Sequence, residues 1–133
     1  MEHLDALRAL IPSYAGYDDE ESRHLADKQV RAWIGERITL LDERLGLAAG
    51  PNAAAYERLL EECEFSDPHA IRELEQRDFD DADLAVLYGL DRRLIEAAGR
   101  ADSVDAASAS AYLDDLERLF ASRYAIIGEP TSR

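Results

Sequence analysis

A chain of 133 residues is long enough to bury one core and too short for two, and 47% hydrophobic with 33% charged residues is the balance of a folded domain with a heavily charged surface. Fifteen basic against 29 acidic residues give a formal charge of −14, which repels phosphate backbones and anionic membrane surfaces and argues against nucleic acid as a ligand. Cys63 is the sole cysteine, so no intrachain disulfide or cysteine-based zinc site can form, and no run approaches the roughly 20 apolar residues of a membrane span; with acidic residues in "MEHLDALRALI" where a signal peptide is basic, the chain is expected in the cytoplasm.

The first element is a short helix over about 2–11, with Leu4, Leu7, Leu10 and Ile11 on one side and Pro12 ending it. Too short to be stable alone, residues 1–12 must dock, either on their own bundle or on a neighbour's, so Leu4, Leu7, Leu10 and Ile11 with Tyr14 and Tyr17 form the candidate interaction surface for a protein partner or for self-association. Between this helix and the next lies "IPSYAGYDDEESRHLADK". Gly16 supplies the freedom for a reversal, Asp18-x-x-Glu21 reads as a carboxylate capping box, and Tyr14 and Tyr17 are expected to pack on the bundle end with their hydroxyls in water.

A long second helix follows over about 19–47, stopped by Gly50-Pro51, which also starts a third at about 51–64. Asp67-Pro68 opens a short fourth helix over 68–77, and Phe79-Asp80 a fifth over 81–100, with Asp80 as cap and Phe79 stapled to Leu84. A sixth runs over about 104–127, before a flexible tail at 128–133. At 100° per residue, Ala26, Val30, Trp33, Ile34, Ile38, Leu41 and Leu45 share a face of the second helix. Leu84, Leu87, Tyr88, Leu94, Ile95 and Ala98 share one on the fifth, and Ala109, Tyr112, Leu113, Leu116, Leu119, Phe120 and Ile127 one on the sixth. The fold class that follows is all-α: a single-domain antiparallel helical bundle of three long amphipathic helices plus shorter ones, with Tyr56, Leu59, Leu60 and Phe65 adding a fourth wall.

Three charges interrupt those stripes. Asp27, Asp91 and Arg123 point inward, and a buried charge must find a partner because an unpaired one costs several kcal/mol. If the fifth and sixth helices fold as a hairpin near 101–104, Asp91 meets Tyr112, and Arg123 meets Asp80 or Asp83. Asp27, Asp91, Tyr112 and Arg123 set the register of the bundle or, in the alternative, the inward polar groups line a ligand cavity ringed by Asp91, Tyr112 and Tyr88.

Catalytic patterns are absent. Cys63 lies among carboxylates in "EECEF", which disfavour a thiolate, and there is neither a glycine-rich phosphate loop nor a serine elbow. Di-iron bundles need paired Glu-x-x-His motifs, and only Glu21-Ser-Arg-His24 has that spacing; it is the one metal candidate. Gly35 and Gly89 inside long helices mark either a close approach of another helix or tolerated glycines. The reading is a non-enzymatic, acidic interaction or scaffold protein needing no cofactor, with a metal-binding carboxylate bundle or an apolar-ligand carrier as alternatives.

Overall fold

The computed structural model describes residues 2–64, 72–74 and 76–127. Five α-helices are described: α1 (Glu2–Leu10), α2 (Glu20–Leu45), α3 (Ala53–Glu64), α4 (Asp81–Gly99) and α5 (Ala109–Ile127), with 3-10 turns at Leu47–Ala49 and Ala101–Ser103. The protein is all-α. The short helix expected at 68–77, Phe65 and the tail at 128–133 fall wholly or largely outside the described residues.

Four helices form a closed ring. α2 packs on α3, α3 on α5, α5 on α4 and α4 back on α2, while α1 lies outside the ring against α4. The hairpins α2–α3 and α4–α5 are antiparallel, and they stand side by side in the same sense. The Trp33 indole N–H donates to the Ile95 carbonyl at 3.1 Å, and eleven residues on, Arg44 donates to the Ala101 and Val104 carbonyls at 2.7 Å each. Both chains therefore rise together from α2 to α4. The core draws on all five helices, including Leu7, Ile34, Ile38, Leu59, Leu87, Leu94, Leu113 and Leu116. Trp33, Leu45, Leu84, Tyr112 and Leu119, expected within the stripes, are partly buried at their margins.

Helix ends depart from the expected bounds for local reasons. α2 stops at Leu45 rather than near Gly50 because Gly46 adopts the left-handed conformation (φ 69°) and returns its N–H to the Asp42 carbonyl, while the Asp42 carboxylate accepts from Ala48 N–H at 2.7 Å. α5 starts at Ala109 rather than 104 because Asp105 and Ser108 cap each other: Ser108 N–H donates to Asp105 Oδ1 at 2.9 Å and Asp105 N–H to Ser108 Oγ at 3.1 Å. At the start of α2 the cap is Asp19, not Asp18; its carboxylate accepts from Glu21 N–H. Asp18 instead accepts a hydrogen bond from the Tyr88 hydroxyl at 3.2 Å, which shifts the cap by one residue.

Gly35 and Gly89 mark close approaches within the chain. A Cβ on Gly35 would sit 3.3 Å from that of Cys63 on α3, and one on Gly89 would sit 3.4 Å from the His3 ring on α1. Among the described residues no helix is long and apolar enough to cross a membrane.

Candidate functional site

Residues 11–19 leave the end of α1 and run back down the bundle as a strap. Arg8 donates to the Tyr14 carbonyl at 3.1 Å, and Gln29 on α2 bridges the strap from its side chain, accepting from Ala15 N–H at 2.8 Å and donating to the Ser13 carbonyl at 2.8 Å. From α4, the Tyr88 hydroxyl accepts from Tyr17 N–H at 2.7 Å. Gly16 passes so close to that hydroxyl that an added Cβ would lie 2.9 Å from it, at a φ of 80° that other residues rarely adopt.

The strap delivers Tyr14 and Tyr17 into the core, contrary to the expectation that their hydroxyls stay wet. Both donate to Asp91 Oδ2, Tyr14 at 2.7 Å and Tyr17 at a still shorter separation. Asp91 Oδ1 accepts from Arg123 Nε at 2.7 Å. The guanidinium then spends its other edges on Asp27, through an ion pair of 2.7 Å from Nη1, and on the Tyr17 hydroxyl, 2.7 Å from Nη2. Asp27 is also held by Arg31 Nε at 2.9 Å, and Arg31 donates onward to the Glu62 carbonyl of α3. Asp91 is 0% exposed, Asp27 1% and Arg123 1%, so the network is sealed from water while touching the strap and α2, α3, α4 and α5.

Formal charges balance inside it: two carboxylates against Arg123 and Arg31. Burial opposes the ionised form of Asp27, yet Arg123 and Arg31 more than offset this and hold its carboxyl below the usual range. Burial, reinforced by neighbouring negative charge, pushes the Tyr14 phenol far up. Burial also raises Tyr17, against the opposing pull of Arg123. Both phenols therefore stay neutral donors. Burial works against the Arg123 charge, but Tyr17, Asp91 and Asp27 raise its pKa well above the ordinary value.

Two expected pairings are corrected. Tyr112 does not reach Asp91, because its hydroxyl donates to the Ala97 carbonyl at 2.8 Å, level with the last turn of α4. Arg123 pairs with Asp91 and Asp27 rather than with Asp80 or Asp83; Asp80 is occupied as the cap of α4, accepting from Asp83 N–H at 2.8 Å. The register is offset because residues 100–108 form a connection with its own 3-10 turn, so α5 begins later than a tight hairpin would allow. Asp91, Tyr88 and Tyr112 accordingly do not ring a common space.

The first helix takes one of the two dockings expected for it, the one on its own bundle. Leu4, Leu7, Tyr14 and Tyr17 are buried in their own chain, Ile11 packs against the core, and Leu10 remains exposed. Glu21 and His24 are both exposed on the first turns of α2, and among the described residues no three His, Cys, Asp or Glu side chains are grouped to hold a metal ion. Burial pushes the Cys63 thiol up to about 12, so it is not a nucleophile at neutral pH. His69 lies outside the described residues.

Arg23 was not singled out by its sequence position. Buried, it donates to the Tyr17 carbonyl at 2.9 Å and the Arg77 carbonyl at 2.9 Å, tying the strap to the segment before α4, with its guanidinium 5.0 Å from the Phe79 ring centroid. The signal for the tyrosines was arithmetic: two inward carboxylates need more donors than Arg123 carries, and phenols flanking a glycine can supply them.

A second feature lies higher on the same helices. A groove of about 330 Å³ opens where α1 ends, between α2 and the last turn of α4, lined by Leu10, Trp33, Arg37, Leu40 and Arg44 among others. The Arg37 guanidinium stacks 3.3 Å from the Trp33 ring centroid. No protein-family model, curated protein or solved structure matches this chain, so its site is read from its own geometry.

Proposed function

We propose that this chain is a non-enzymatic interaction or scaffold protein built on an acidic helical bundle. One observation carries the reading: the concentration of buried charge among the described residues, Asp27, Asp91, Arg123 and Arg31 with Tyr14 and Tyr17, is taken up by contacts within the protein. Among the described residues no buried side-chain nitrogen or oxygen lacks a partner. A catalytic or ligand-binding centre keeps some donor or acceptor facing a space for substrate; this network keeps none and instead fixes the strap and the ring of helices relative to one another. What the fold presents outward is a rigid, charged surface with a few exposed apolar side chains. The charge of −14 favours protein partners over nucleic acid or anionic membranes. The single buried cysteine suits a reducing cytoplasm.

The test is native isolation of the untagged protein from the cells that make it, with chemical cross-linking, mass spectrometry and metal analysis. Stoichiometric cross-links to another protein, with metal well below one ion per chain, are the expected result. A chain that runs free with one or two bound transition ions would replace this reading with a metal-binding bundle.

A further inference from the structure

The groove above the buried network combines apolar, aromatic and cationic side chains. Four large hydrophobic side chains are exposed among the described residues, Leu10, Leu25, Leu40 and Val86, and two of them, Leu10 at 43% and Leu40 at 53%, line this groove, Leu40 also bordering a cleft of about 430 Å³ toward α3. Its wall carries Trp33 and Arg37 stacked together, two of the residue types enriched among energetically dominant interface positions. The charged groups lining it are Arg37, Arg44 and Asp102, one net positive charge on a chain whose total is −14, with Arg37 Nη1 also 3.3 Å from Glu36. Trp33 is held in place by its hydrogen bond to Ile95, and Arg44 by its bonds to the Ala101 and Val104 carbonyls, so the wall is preorganised and little ordering remains for a partner to impose.

From Trp33 to Arg44 the groove follows about three turns of α2, roughly 16 Å, a length that suits a short helix laid alongside. We infer that this groove docks an acidic amphipathic helix of a partner protein, with apolar side chains seated between Leu10, Trp33 and Leu40 and carboxylates meeting Arg37 and Arg44. A second copy would bring a whole body of charge −14 against another, whereas a short acidic helix brings a few carboxylates placed against Arg37 and Arg44. The inference rests on the interaction reading above and narrows it to one surface and one partner chemistry.

Trp33 is the sole tryptophan, so its emission reports directly on the groove. Two synthetic helical peptides of about 15 residues serve as probes, both with leucine on one face at i, i+3, i+4 and i+7, one carrying glutamate and the other lysine on the flanks. The glutamate peptide should shift Trp33 emission saturably and bind at least about tenfold tighter than its lysine twin, with the difference shrinking as salt rises. Arg37→Gln and Leu40→Ala should each weaken that binding about threefold or more at unchanged melting temperature, because both side chains lie at the surface. Absence of a saturable shift, equal affinity for the two peptides, or indifference to both substitutions would overturn the inference. So would a dimer seen by light scattering without peptide and lost in Leu40→Ala, which would make the groove a self-interface. Cross-links to a partner that map away from Leu10, Trp33 and Leu40 would remove the groove and leave the interaction reading standing.

Discussion

Arg123 and Arg37 are the same residue type on opposite helices of one ring, α5 and α2, and they do opposite things. Arg123 is enclosed, with every edge of its guanidinium occupied by Asp91, Asp27 and Tyr17. Arg37 lies flat on Trp33 at the surface, its Nη1 shared between the Trp33 carbonyl and Glu36 at 3.3 Å each. The difference teaches where this protein keeps its specificity. In the interior, charge selects one arrangement of strap and helices, because any other would strand an ion away from water. On the surface, water competes for every contact, and a charge contributes little to stability but remains available to a partner.

The comparison breaks most sharply at Arg123. Replacing it with methionine takes from Asp27 its ion pair of 2.7 Å and leaves Asp91 with two phenols, and should destabilise by about 3–5 kcal/mol in a denaturant titration. A change under about 1 kcal/mol would mean that the carboxylates find water and the interior is not sealed. Arg37→Met, measured alongside, should cost under about 0.5 kcal/mol.

Gly16 comes next. An alanine there meets both the left-handed φ of 80° and the Tyr88 hydroxyl 2.9 Å away, so Gly16→Ala should cost about 1–3 kcal/mol and loosen the strap, seen as faster amide exchange at residues 13–18. Adding Tyr88→Phe removes the clashing oxygen and should recover part of the loss in melting temperature.

Alkaline pH probes the same strap without mutation. Tyr14 and Tyr17 ionise near 10.0 when unfolded but are held protonated by burial in the fold, so their stabilisation is complete below pH 10 and falls away as pH rises beyond it. Tyr14→Phe should cost about 1 kcal/mol at neutral pH through the lost hydrogen bond, and should reduce the pH dependence of stability above pH 10 by about one proton. On the acid side the sign reverses: Asp27, held below its ordinary value of 3.8, contributes stability above that value, lost as pH falls further. Denaturation midpoints across the pH range read both limbs.

The smallest effect separates Asp19 from Asp18. As the cap of α2, Asp19→Ala should lower stability by about 1 kcal/mol, and Asp18→Ala, which loses only the longer bond from Tyr88, by less. The reverse order in thermal melts would return the cap to Asp18.

Most helices were legible because their signals are local. The 3.6-residue stripes of α2, α4 and α5 put Ile34, Ile38, Leu87, Leu94, Leu113 and Leu116 in the core, and Pro12, Asp80 and the apolar periodicity placed the elements within a few residues. That Asp27, Asp91 and Arg123 must be paired was also legible, since a charge inside an apolar stripe has no other way to be tolerated. Which groups pair with them was not. Tyr14 lies 77 residues from Asp91 and Tyr17 lies 106 from Arg123, and no periodicity carries information across such separations.

Helix period, caps and hydrophobic faces, together with the demand for buried partners, were thus determined by the sequence, because each follows from interactions within a turn or two of chain. Tertiary structure decided the rest: the strap's insertion, the three-residue-type network of Asp, Arg and Tyr, and the meeting of Leu10, Trp33 and Leu40 at one groove. The physical reason is that these depend on the lateral register of separate helices. Here that register is set by whichever arrangement lets Asp27 and Asp91 both reach Arg123 while Tyr14 and Tyr17 complete the hydrogen bonds.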